Sequence, residues 1–128
     1  MQLLVVDDSQ IITDSVAIAM ESAGYGVWKA NSGKEALELI KRYGMPHLAV
    51  IDLSMPGMDG ASLCKRIHKY SDLPIIILTS VDDEDTVVEL LNKHAEDYIN
   101  KPFRSAELAA RATRDEIESA RSRFAHQA

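Results

Sequence analysis

Three short apolar runs constrain this chain most: Leu3-Leu4-Val5-Val6, Leu48-Ala49-Val50-Ile51 and Ile75-Ile76-Ile77-Leu78. Each is unbroken rather than alternating, as in parallel strands covered on both faces. Two weaker runs, Val27-Trp28-Lys29-Ala30 and Tyr98-Ile99-Asn100, mix in polar groups and belong at sheet edges. The segments between them follow a helical period. Ile11, Ile12, Ser15, Val16, Ala19, Met20 and Ala23 share one face, with Gly24 as a stop. Ser32-Gly33-Lys34-Glu35 has the form of a capping box before Ala36, Leu37 and Ile40. Ala61, Cys64, Ile67 and His68 line a third helix, Val87, Val88, Leu90 and Leu91 a fourth, and Leu108, Ala109 and Ala112 a fifth that starts near Ser105.

Five β-α units in succession predict an α/β fold: a doubly wound, five-stranded parallel sheet with helices on both faces. Right-handed crossovers with the second and fifth strands at the edges give the order 2-1-3-4-5, the flavodoxin-like (βα)5 arrangement. Ligands of such sheets bind beyond the carboxyl ends of the strands, where the first and third strands meet. The length of 128 residues and the 46% hydrophobic content suit one core. The apolar runs are too short to cross a membrane, and no secretory signal stands at the start. The single cysteine, Cys64, forms no internal disulfide, in keeping with a reducing cytoplasm. A net charge of −6 argues against direct binding of nucleic acid.

The strand ends carry the chemistry. The first ends in Asp7-Asp8, the third in Asp52, the fourth in Thr79-Ser80 and the fifth in Lys101-Pro102. In the expected topology three carboxylates converge on one edge, opposite a hydroxyl and an ammonium. Two like charges 4 Å apart repel by about 4 kcal/mol at an effective dielectric of 20. Either one acid is protonated or a divalent ion binds. Oxygen ligands of this kind suit Mg2+, which also accepts a phosphate oxygen. Asp52 then reads as a nucleophile that takes phosphate as an acyl phosphate, with Thr79 and Lys101 on the phosphoryl oxygens.

Taken singly, each residue has a plainer reading. Asp7-Asp8 could be a strand-to-helix turn with Asp8 or Ser9 as N-cap, and Asp52 a turn acid before Pro56-Gly57. Lys101 could be a solvated lysine and Thr79 a β-former at a strand end. Joint placement decides against these. Met55 and Met58 read as gap fillers and Trp28 as packed under a helix. The run Asp82 to Thr86 reads as a solvated helix start. His47, His68, His94 and His126 have no ligand spacing among them.

The stretches "VVDDSQ", "VIDLSMPGMDG", "IIILTS" and "EDYINKPF" together resemble the receiver domain of bacterial two-component response regulators, from about Gln2 to about Thr113. The resemblance implies Asp52 as phosphoacceptor, Asp8 as direct metal ligand, Asp7 as holder of metal-bound water, and the Ser54 backbone carbonyl as a further ligand to Mg2+. It implies Thr79 as the switch hydroxyl, Lys101 as the phosphate contact, Tyr98 as the aromatic that turns inward, and a cis bond before Pro102. It also implies a sensor histidine kinase or phosphotransfer protein as donor, a cytoplasmic location, and an output domain or downstream protein as reader. Homodimers through the fourth helix, fifth strand and fifth helix, or through the C-terminal helix, fit the same family. Ser80 and His94 depart from its commonest pattern, where a small apolar residue and Gly are usual.

The expected division is a phospho-receiver domain over 1–113 and, over 114–128, an extension of the last helix or a linker to an output domain. Ala106, Ala110, Thr113, Ile117, Ala120 and Phe124 form a short heptad-like seam that runs into it, read either as a dimerising or signalling helix or, equally, as a frayed, solvated tail. The competing reading is a Mg2+-dependent phosphatase of the haloacid-dehalogenase kind. That family has a second Asp two residues beyond its nucleophile, where this chain has Ser54, and the chain has no room for a substrate cap. The expectation is therefore a phosphoacceptor switch rather than an enzyme, one that promotes its own phosphotransfer and dephosphorylation. A binding module that has lost phosphorylation is the third reading, and the full set of five side chains argues against it.

Overall fold

The computed structural model describes residues 1–53, 55, 57, 59–80 and 84–115. Five strands alternate with helices: β1 (Gln2–Val6), α1 (Gln10–Ser22), β2 (Gly26–Ala30), α2 (Gly33–Tyr43), β3 (Leu48–Asp52), α3 (Gly60–His68), β4 (Ile75–Thr79), α4 (Glu84–Lys93) and β5 (Asp97–Asn100). A final helix, α5, covers 105–115 of the described residues. All pairings are parallel, and the order is β2-β1-β3-β4-β5. The α/β fold and strand order expected from the sequence are both present. The Ser54 carbonyl, Pro56, Met58, Val81 to Asp83 and the seam residues Ile117, Ala120 and Phe124 lie outside the described residues.

Burial follows position in the sheet. Every residue of β3 and β4 is buried, whereas β2 and β5 keep exposed positions, as edge strands do. Successive side chains of one strand point to opposite faces. Leu4, Val6, Ile51 and Ile77 therefore pack under α2, α3 and α4 with Leu63, Ile67, Val87 and Leu90. Leu3, Val5, Val50, Ile76 and Leu78 pack under α1 and α5 with Val16, Met20, Leu108 and Ala112. The apolar runs are unbroken because both faces of the sheet are covered.

One helix differs in phase from its sequence reading. In α1 the buried residues are Thr13, Val16, Ala17 and Met20. Ile11 is 80% exposed, and Ser15 and Ala23 also face solvent. Ser9 is the N-cap and accepts from the Ile12 amide, and this start turns Thr13 inward. The Thr13 hydroxyl is satisfied by donating to the Gln10 carbonyl, so its burial leaves no orphaned donor. The capping box of α2 is present. Ser32 accepts from the Glu35 amide, and the Glu35 carboxylate accepts from Asn31 N–H, one residue before the cap. Trp28 meets Tyr43 of α2 with ring centres 5.5 Å apart, which bears out its packing against a helix.

Candidate functional site

The carboxyl ends of β1, β3, β4 and β5 carry the site, and the sheet ladder extends past the strands to hold it. The Asp7 amide donates to Ala30 O, Leu53 N to Leu78 O and Lys101 N to Thr79 O. Strand-end side chains are thus placed by backbone bonds on both sides. The Lys101–Pro102 bond is cis, as the resemblance implied.

Asp7, Asp8 and Asp52 each present a carboxylate oxygen, and the three lie within 4.8 Å of one another. Asp7 is fully buried, Asp52 is 4% exposed and Asp8 is open to solvent. Lys101 Nζ stands 2.9 Å from Asp7 Oδ2 and 3.1 Å from Asp52 Oδ1. Burial works against its charge, but hydrogen bonds and attraction from Asp7 and Asp52 outweigh this and raise its pKa above the usual lysine value. Asp7 Oδ1 accepts from the Ser9 amide. Asp7 Oδ2 is buried and has no partner besides that ammonium among the described residues.

One ammonium against three carboxylates leaves the cleft with surplus negative charge. The donor set is entirely carboxylate oxygen, which suits a hard divalent cation. Adjacent oxygens on an octahedral ion with bonds of roughly 2.0–2.1 Å stand about 3 Å apart. The three oxygens are close enough to gather round one hydrated ion. The partly satisfied Asp7 Oδ2 is consistent with such a guest.

Thr79 is buried at the end of β4, and its hydroxyl donates to the Ser80 carbonyl. Tyr98 on β5 points outward and is 38% exposed. Between them lies a cavity of about 400 Å3 lined by Thr79, Ser80, Val87, Val88, Leu91, Tyr98 and Asn100. Another cavity, of about 430 Å3, is lined by Ile12, Ser15, Lys101, Pro102, Phe103 and Ser105.

Two supporting residues carried little sequence signal. Asn31 donates from Nδ2 to the Asp7 carbonyl, tying the end of β2 to the acidic pair. Gly60 reads in sequence only as a helix start after the N-cap Asp59. In the fold it lies so close to β3 that an added Cβ would stand 2.1 Å from the Asp52 carbonyl oxygen. Its amide donates to Leu53 O. Only glycine lets α3 begin this close to the backbone that carries Asp52.

Residues 3–113 match the family model for the response regulator receiver domain. This chain belongs to that family. Receiver domains of this kind are phosphorylation-dependent signalling switches rather than conventional enzymes. Among curated relatives, this receiver domain is 42% identical over 110 residues to a probable transcriptional regulator, ycf27, of Porphyridium aerugineum. That match covers 86% of this chain and 45% of the relative. The regulatory protein VanR of Enterococcus faecium is 40% identical over 110 residues, covering 86% and 47%. The chain spans about half the length of the curated relatives it matches. Among solved structures, a CheY-like receiver domain from Methanospirillum hungatei superposes with a TM-score of 0.87 at 30% identity, covering 94% of this chain and 97% of that one. A Francisella receiver domain, response regulator 1452, gives 0.82 at 34% identity, covering 92% and 98%.

Proposed function

We propose that Asp52 accepts a phosphoryl group from a histidine of a sensor kinase or phosphotransfer protein, and that Mg2+ is the cation of the acidic cleft. The observation that carries this reading is the convergence of Asp7, Asp8, Asp52 and Lys101 from three separate strand ends onto one cleft. In the transfer, the N–P bond of the donor phosphohistidine breaks and a bond forms from an Asp52 carboxylate oxygen to phosphorus. Asp8, Asp7, Asp52 and the Ser54 carbonyl are the groups that would hold Mg2+, which offsets the carboxylate and phosphoryl charge when bound. Lys101 already touches Asp52 and is placed to follow the charge onto a phosphoryl oxygen. Hydrolysis of the acyl phosphate in the same cleft resets the domain.

The phosphoryl group brings strong acceptor oxygens to the end of β3. The Thr79 hydroxyl leaves the Ser80 carbonyl to donate to one of them, and Tyr98 moves into the space beside it. The cavity under Tyr98 supports that movement. The changing surface is then α4, β5 and α5, where Val88 and Tyr98 are exposed and Arg111 spans Asp97 and Glu107. An output domain or downstream protein, or a second copy of the chain, reads that surface. Exposed Ile11 and Ile18 lie on α1, the helix that lines the cavity at Lys101 through Ile12 and Ser15, and suit docking of the donor. The receiver unit is assigned to 1–113 and the following residues to a helical extension or linker. A cytoplasmic location and the absence of direct nucleic-acid or membrane contact by this domain complete the proposal. Among the described residues, no helix is long and apolar enough to cross a membrane.

The test is intact-mass measurement after incubation with a small phosphodonor such as acetyl phosphate. The wild type should gain one phosphoryl group with Mg2+ present and none with a chelator. Asp52→Asn should gain none. An adduct that ignores Mg2+, or one that survives in Asp52→Asn, contradicts the proposal.

A further inference from the structure

Outside the acidic cleft, the fold joins two histidines that the sequence keeps apart. His68 ends α3 and His94 follows the last turn of α4. Their rings meet with centroids 5.4 Å apart at an interplanar angle of 63°. Two imidazoles on one tetrahedral ion, with bonds of roughly 2.0–2.1 Å, place their ring centres about 5 Å apart. The observed separation fits such a pair as well as it fits edge-to-face packing, so the ring nitrogens have to decide.

Two further observations point the same way. His68 Nε2 faces the Leu73 carbonyl at 3.3 Å. A metal-bound histidine commonly donates its other ring N–H to such a carbonyl, and that bond leaves Nδ1 as the free lone pair. His94 Nδ1 is buried and has no hydrogen-bond partner among the described residues, a state that costs free energy unless something occupies it. Both rings remain partly open to solvent, so water can complete a coordination shell.

We propose that His68 and His94 form a binding site for a borderline divalent transition ion, of the Zn2+ class, that ties the end of α4 to α3. Imidazole nitrogen selects such ions over Mg2+, which the carboxylate cleft prefers. The charged groups around the pair are Lys65 on α3 with Glu89 and Lys93 on α4. Lys65 and Glu89 form an ion pair across the two helices at 3.8 Å, both side chains half exposed. Desolvation, and then the nearness of His68, Lys65 and Lys93, lowers the His94 pKa below the usual histidine value.

The experiment is a Zn2+ titration of the full chain by calorimetry in excess Mg2+, which occupies the acidic cleft. The wild type should bind one ion saturably. His68→Gln and His94→Gln should each weaken binding at least tenfold, and His47→Gln should leave it within about threefold. Nitrogen-15 spectra of the wild-type imidazoles give a second reading that needs no variant. Zn2+ should shift the ring nitrogens of His68 and His94 together. Absence of saturable binding, variants at His68 and His94 that bind like the wild type, loss of binding in His47→Gln, or shifts confined to His47 or His126 would each overturn the proposal and leave the pair as packing alone.

Discussion

Gly60 and Asp115 show how far one residue matters here. A methyl group at 60 meets backbone, not a flexible side chain, 2.1 Å from the Asp52 carbonyl oxygen. Either α3 retreats or the end of β3 shifts. Gly60→Ala should therefore cost about 2–3 kcal/mol in denaturant unfolding and slow phosphorylation from acetyl phosphate. Unchanged stability and rate would show that the loop absorbs the methyl. Asp115 is buried beside Asp97. Desolvation and the Asp97 charge, against the pull of Arg114, push its pKa up to about 6. An acid whose pKa is higher in the folded state stabilises the fold below its unfolded value, near 4, and loses that contribution as pH rises through 6. Asp115→Asn should thus gain about 1 kcal/mol at pH 7.5, after allowance for screening by nearby solvent, and lose the pH dependence of melting temperature between about 4 and 6. A variant with the wild-type slope across that window would contradict this assignment. The sequence made the acids at 7, 8 and 52 legible because strand-end position follows from element order. It could not show Gly60 as more than a helix start, nor Asn31 as a brace for Asp7, because both depend on approach between distant segments.

At the scale of elements, the central strands were readable and one helix face was not. Burial on both sides makes β1, β3 and β4 unbroken apolar runs, a pattern with few competing explanations. In α1 the exposed Ile11 and the buried Thr13 reverse the usual sorting, so periodicity alone placed the face about one residue out of phase. His68 and His94 were read as unrelated for a similar reason: the α3–α4 contact is tertiary, and no spacing encodes it. The same limit applies to the switch. Tyr98 and Thr79 are on neighbouring strands, but the cavity between them is visible only in the fold. If β5 changes as proposed, phosphorylation should lower the solvent exposure of Tyr98, read as reduced quenching of its fluorescence in a background where Trp28, Tyr25, Tyr43 and Tyr70 are each replaced by Phe. Thr79→Ala should uncouple that change from phosphorylation by at least tenfold in populated active state. Equal quenching before and after phosphorylation would place the switch elsewhere.

For the whole molecule, one physical constraint connects fold to function. A parallel sheet ordered 2-1-3-4-5 brings strand ends from across the sequence to one edge, and this chain has set three acids and a lysine there. The cleft is tolerable in the free domain because Lys101 offsets part of the charge, and its surplus is what a divalent ion and a phosphoryl group would use. The most direct measurement locates the phosphoryl group itself. After phosphorylation with Mg2+, borohydride reduces an acyl phosphate to an alcohol, and peptide sequencing identifies the altered residue. The account predicts conversion of Asp52 to homoserine and no change at Asp7 or Asp8. Conversion at either of those acids, or recovery of Asp52 unaltered from phosphorylated protein, would contradict it.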